Sequence, residues 1–447
     1  MHTPIYDMLL KYETKNALRM HMPGHKGKGE GLFCDINKID VTELSATDDL
    51  YEAKGAIKKA QELTAIAYSA KYTLFLTNGS TAGILASIAA CVKEGQALIA
   101  DRGSHRAAIS ACMLSGCDLY YTKAKMQRGG SILPPQPYEI EKLLIKTNAK
   151  TVFITSPNYY GQTADIEAIA NLVHAYGARL IVDSAHGAHF AFSEKLPEES
   201  SILGADIVIE SAHKTLSALT QGAFLHINDI SIKDEVQYFL RAIQTSSPSF
   251  PIMASLDMAR AKAQEAKMQY EKIINLVSDI KKDLKDHDID CLENDDPLKL
   301  VVDMKDKGGG FYAKERLEEL GIYPEMADLI YVVFIITYLD TKQELLKLKD
   351  AILSLQDKKT DFEEVFDLPN VPFSMSIRQA INSKKEKLQL QDAIGRISAK
   401  DIGIYPPGVP IIAPGQIITK EAVDFIEKLQ AKGGSTFNID EGVYVIK

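Results

Sequence analysis

The chain has 447 residues, 46% of them hydrophobic and 25% charged, with a formal net charge of −9. That length can bury a large core and suggests two or three domains. The acidic balance and the absence of any Lys/Arg-rich block argue against nucleic acid and anionic membranes as partners. Five scattered cysteines without metal-ligand spacing predict reduced thiols in a cytoplasmic protein and no metal. The longest apolar run, Leu329 to Ile336, is too short to span a bilayer and is rich in β-branched residues, so it reads as a buried strand.

Residues 1–54 read as an N-terminal arm followed by a connecting segment. A short amphipathic helix from Tyr6 to Tyr12 precedes Met22-Pro-Gly-His-Lys-Gly27, where Pro and Gly forbid a continuing helix. Residues 55–290 form the large domain. Helix-period segments (56–68, 84–93, 166–176) alternate there with the apolar runs Thr73–Leu76, Ala97–Ile99, Thr151–Ile154, Leu180–Val182, Ile207–Ile209 and Ala223–His226. Such alternation predicts an α/β fold with a mostly parallel sheet and helices on both faces. Functional residues of such sheets gather at the strands' carboxyl ends, where Asn78, Asp101, Ser156 and Asp183 fall, with Ser211 just beyond. A charged helix from Pro251 to Asp286 leads onward to a small α/β domain (291–356), an acidic linker (357–370) and a C-terminal domain (371–447).

Three segments carry chemistry. Ser211-Ala-His-Lys214 offers a lysine that can form a Schiff base, provided its pocket keeps the amine neutral. Asp183, delivered after Leu180-Ile-Val182, suits a pyridine nitrogen, and Ala185 two residues on can press against a flat ring. Gly79-Ser80-Thr81-Ala82 opens a helix whose free N–H groups suit a phosphate, although a plain helix cap would look the same. His105, in Asp101-Arg-Gly-Ser-His105, can stack on a ring. In this order the three segments point to pyridoxal 5′-phosphate (PLP). His186 and His189 lack the further ligands a metal would need.

These residues resemble the bacterial ornithine/lysine/arginine decarboxylases of the aspartate-aminotransferase-like fold type I. The resemblance runs through His21-Met-Pro-Gly-His-Lys-Gly27, Asn78-Gly-Ser-Thr-Ala-Gly83, Asp183-Ser-Ala-His186, Ser211-Ala-His-Lys214, Thr245-Ser-Ser-Pro-Ser249, Ala393-Ile-Gly-Arg-Ile-Ser398 and Tyr405-Pro-Pro-Gly408. It implies α-decarboxylation of lysine, arginine or ornithine to a di- or polyamine. Lys214 would anchor PLP, Asp183 would pair with its nitrogen, and His105 and Ala185 would sandwich the ring. Gly79, Ser80, Thr81, Ala82, Ser211 and His213 would surround the phosphate, with His186 beside the cofactor and His213 also catalytic. Thr245 and Ser246 would enter the partner's site, implying a homodimer or a higher assembly. The response-regulator-like N-terminal domain of the larger relatives is expected to be missing.

Gln416 stands where the family pattern suggests a glutamate, which leaves the substrate's distal cation without its usual partner. Glu43, Asp48 and Asp49 could supply the charge instead, or could be loop acids capping a helix over Leu50–Ala56. Another PLP reaction, such as transamination or carbon–sulfur or aldol cleavage, stays open; Arg396 could hold a substrate carboxylate for transamination.

Overall fold

Seven strands carry the middle of the chain: β1 (Tyr72–Leu76), β2 (Ala97–Ala100), β3 (Asp118–Tyr121), β4 (Thr151–Thr155), β5 (Arg179–Asp183), β6 (Ile207–Glu210) and β7 (Ala223–Ile227). All six expected runs are strands. The unexpected seventh, β3, is the short Asp-Leu-Tyr-Tyr, of which only Leu119 is buried, so its sequence lacks a continuous apolar signal. This computed structural model describes every residue except 128–130, 361–367, 405–407, 432 and 440. Half of the expected 357–370 linker and Tyr405-Pro-Pro therefore lie outside the described residues.

The chain divides into two compact units, Met1–Cys91 with Arg179–Met268, and Val92–Ala178 with Gln269–Lys447. In the first, the strand order is β1-β7-β6-β5. β5 and β6 run parallel, with Asp183 level with Ile209. β7 is antiparallel to both β6 and β1. Every residue of β6 and β7 is buried, as expected of strands covered on both faces.

The helices before and after β1 include α1 (Pro4–Thr14), α2 (Phe33–Ile39), α3 (Ala56–Ala67) and α4 (Gly79–Cys91), of which α3 and α4 pack on the strands. The expected arm helix is α1, with Pro4 starting it, where a missing N–H costs nothing. It buries Ile5, Leu9 and Tyr12 on one face. α4 approaches β6 closely at Gly83, where a Cβ would stand 2.8 Å from Leu76 Cδ1 and 3.1 Å from Ile209 Cγ2. Only a residue without a side chain permits that approach.

In the second unit β2 pairs in parallel with β3 and β4. Further on, β8 (Lys299–Asp303), β9 (Met326–Ala327) and β10 (Tyr331–Ile335) form an antiparallel sheet in the order β8-β10-β9. β10 is the apolar run read as a buried strand. The end of the chain adds β11 (Lys385–Leu388), β12 (Ile402–Ile404), β13 (Val409–Ile412), β14 (Thr436–Phe437) and β15 (Val443–Ile446). Val301, Val333, Ile411 and Ile426 share one apolar cluster of this unit. The buried Arg102 guanidinium donates to the carbonyls of Pro410 (2.5 Å) and Ile411 (2.6 Å), tying the loop after β2 to β13. The helix expected to run unbroken from Pro251 to Asp286 is two helices, Phe250–Glu265 and Lys267–Asp286. Ala266 closes the first with a tight bond from its N–H to Ala263 O (3.1 Å).

Candidate active site

The level ends of β5 and β6 bring two loops together. Ser184 N donates to Ile209 O at 2.8 Å, so the residues after Asp183 start beside Ser211. Past Ser211 the chain makes one helical turn, Ala212–Thr215, that carries His213 and Lys214. Lys214 Nζ stands 3.1 Å from His186 Nε2. Asp183 is buried and its Oδ1 accepts from Ala185 N at 3.1 Å. Burial pushes its carboxyl up to about 6, against the opposing pull of Lys214's charge and the Ala185 N–H. A carboxylate made costly by burial favours a cationic N–H partner.

The turn at Gly79 is strapped to the same place by Gln221 and Gly222. Gly79 N donates to Gln221 O at 2.9 Å. His213 donates to Gly222 O from its backbone N (3.1 Å) and from Nδ1 (2.9 Å). Because a carbonyl can only accept, Nδ1 must carry the proton. Burial lowers the His213 pKa, so the ring tends to be neutral. Gly79 has φ +76°, and nothing lies within 4 Å of where its Cβ would be. This left-handed residue leaves open space at the start of α4, whose first-turn N–H groups have no partner within the helix. The Ser211 hydroxyl is buried with no hydrogen-bond partner among the described residues. An orphaned hydroxyl, a helix N-terminus and open space suit a phosphate. The strap was not anticipated; its signal was the glycine before the apolar run of β7.

Asp183, Ala185, His186, Ser211, His213 and Lys214 thus share one region of the first unit, with Gly79, Ser80, Thr81 and Ala82 joined to it through the strap. Thr245 and Ser246 are exposed on a turn of the same unit. Gln244 anchors that turn by accepting from Thr77 N at 2.8 Å, and Tyr51 Oη donates to Thr245 O at 2.5 Å. His105 belongs to the second unit, where its Nδ1 accepts from Ala107 N at 3.2 Å at the head of the helix Ala107–Ser115.

Three expectations about charge change. Asp48 accepts from the N–H groups of Lys54 (3.0 Å), Gly55 (2.9 Å) and Ile57 (2.9 Å), so it caps α3. Asp49 Oδ1 accepts from Tyr51 N at 2.7 Å. The helix expected over Leu50–Ala56 is absent: residues 50–55 are not helical, so Asp49 closes a turn as a loop acid and Asp48 alone caps, for the helix that follows. Gln416 is 3% exposed; its Oε1 accepts from Ala413 N (2.7 Å) and its Nε2 donates to Val371 O (2.6 Å). Its amide holds backbone together, a task a glutamate carboxylate could not perform toward Val371 O. Arg396 is engaged by Glu386 Oε1 (2.6 Å) and Ile446 O (2.7 Å).

Residues 3–301 match the family model described as Orn/Lys/Arg decarboxylase, major domain, and residues 358–436 match the C-terminal domain of the same family. The chain is 34% identical to the uncharacterized protein YaaO of Bacillus subtilis, covering 96% of this chain and 94% of that protein. It is 31% identical to an arginine decarboxylase of Bacillus anthracis, covering 95% and 92%. The lysine decarboxylase LdcF of Francisella novicida superposes with a TM-score of 0.84 at 20% identity, over 100% of this chain and 81% of that one. That likeness confirms the fold type I architecture. With a buried aspartate, a lysine and an open turn at a helix start converging in one region, the chain belongs to the Orn/Lys/Arg decarboxylase family as a PLP-dependent amino-acid decarboxylase of basic substrates.

Proposed function

We propose that the chain removes the α-carboxyl group of arginine, in preference to lysine or ornithine, leaving the corresponding amine for polyamine synthesis. The observation that carries the chemistry is Lys214 beside His186 and the buried Asp183. Arginine is favoured because the Bacillus relatives bearing that name are 31% identical across nearly the whole chain, whereas the Escherichia coli relatives, named for arginine or for lysine, reach 23%.

When bound, PLP supplies an electron sink for the pair left as carbon dioxide departs. Lys214 contributes the amine that anchors it. Asp183 holds a proton at the ring nitrogen, its own burial offset by that cation. Ser211, His213 and residues 79–82 take the phosphate, Ala185 flanks the ring, and Thr245 and Ser246 serve the partner's site. Transamination is disfavoured by the engagement of Arg396 with Glu386 and Ile446 O.

A homodimer is supported by α2, which buries none of its residues within the chain, and by Leu32 and Phe33, 92% and 65% exposed. A cytoplasmic setting fits five cysteines that form no disulfide among the described residues, and among the described residues no helix is long and apolar enough to cross a membrane. Carbon dioxide release from arginine, lysine and ornithine, with the amine identified by mass spectrometry, tests the assignment. Arginine should turn over fastest; a keto acid product, or a clear preference for lysine, would overturn it.

A further inference from the structure

We propose that His186 is the base that takes a proton from the Lys214 ammonium and so frees the amine to capture the cofactor; the inference rests on the reading of Lys214 as the anchoring lysine. Two nitrogens 3.1 Å apart can hydrogen-bond only if one carries a hydrogen and the other offers a lone pair. His186 is buried. Two adjacent cations there would be costly, so the pair carries one extra proton that either nitrogen can hold.

The groups around the pair fit this exchange. Asp183, from β5, interacts electrostatically with Lys214 and favours a single positive charge nearby. His213, on the turn that carries Lys214, is committed through Nδ1 to Gly222 O. His186 instead offers its imidazole to Nζ. In water only roughly one lysine in two thousand is a free amine at neutral pH, so a neighbouring base removes a real barrier.

In the step, an Nζ–H bond breaks and an Nε2–H bond forms, moving the charge to the imidazole and leaving the lone pair on Nζ. That pair attacks the cofactor's aldehyde carbon, and the carbonyl oxygen departs as water. One of the water's protons returns from His186, and the other comes from Nζ. The positive charge ends on the nitrogen of the new carbon–nitrogen double bond, and His186 is neutral again. No oxidant or reductant is needed.

The test uses the full chain stripped of cofactor, with pyridoxal 5′-phosphate as probe. Borohydride fixes the adduct, and mass spectrometry reads Lys214 labelling from about pH 6 to about pH 10. His186→Gln should label roughly a hundredfold more slowly near neutral pH and approach the wild-type rate at the alkaline end. Added imidazole should restore much of the lost rate in His186→Ala, a variant whose folding is checked by its melting transition. Rates within twofold of wild type at every pH would overturn the proposal. So would uniform slowing that imidazole does not relieve, which is the mark of a merely structural role. A Lys214→Ala chain that still forms the same visible band would instead condemn the reading of Lys214.

Discussion

Asp183 owes its chemistry to its position at the end of an apolar strand, where solvent is excluded and its ionised form is costly. Asp183→Asn keeps the shape but cannot hold a proton on the ring nitrogen. Turnover should fall by roughly a thousandfold, about 4 kcal/mol of barrier, while the cofactor's visible band persists. A loss below tenfold would remove Asp183 from that role. Gln416 makes the opposite point about a single residue. Gln416→Glu would set a buried carboxylate against Val371 O and lose a donor, so a drop of roughly 1–3 kcal/mol in unfolding free energy is expected at neutral pH. An unchanged denaturation midpoint would contradict it.

At the scale of elements, β6, β7 and β1 enclose polar groups that no chemistry described above uses. His226 on β7 lies level with Val208 of β6 and Thr73 of β1. Its Nε2 is 3.3 Å from Glu210 Oε2, its Nδ1 is 2.8 Å from Thr73 Oγ1, and the Tyr68 ring stacks on it at 4.5 Å. Burial pushes Glu210 up to about 8, and burial with the like charge of Glu210 does the same for Glu199. Burial pushes His226 down to about 4.

These shifts set the pH dependence. Between the ordinary glutamate value and about 8, the folded chain holds a proton that the unfolded chain has lost, so this contribution to stability fades as pH rises. His226 acts in reverse: the unfolded chain binds its proton between about 4 and 6.5, and stability gains as pH rises through that window. Two raised acids outweigh one lowered imidazole, so these three groups together make stability fall as pH rises above about 4.5, by about 1.4 kcal/mol per pH unit up to about 6.5 and more steeply from there toward pH 8. Glu210→Gln should flatten that alkaline decline in thermal melts. An identical slope in the variant would rule out Glu210 as its source.

For the whole molecule, the proposed homodimer rests on surfaces of this chain. Thr245 and Ser246 are exposed on a turn held by Gln244 and Tyr51, and among the described residues none buries a residue of α2, where Phe33 and Ile36 stand exposed. Mixing an inactive Lys214→Ala chain with an inactive chain altered at Thr245 and Ser246 should restore part of the activity in mixed dimers. No recovery, with subunit exchange demonstrated, would mean each site is built within one chain.

The alternation of apolar runs with helical periods was sufficient by itself to specify the α/β class, because buried strands and amphipathic helices leave distinct periodicities in the residues themselves. The segments around Asp183 and Lys214 were legible for a related reason: a small or charged residue after an apolar run marks a strand's carboxyl end. What sequence could not reveal depended on partners distant along the chain. Asp48 and Gln416 looked like candidates or losses of charge until their backbone partners at residues 54–57, 371 and 413 became visible. Glu210 passed unnoticed because one acid at the end of an apolar run says nothing of His226 or Glu199. The pairing of Lys214 with His186 likewise arises only because β5 and β6 end level. Local pattern determines which elements form; the register between them decides which side chains meet.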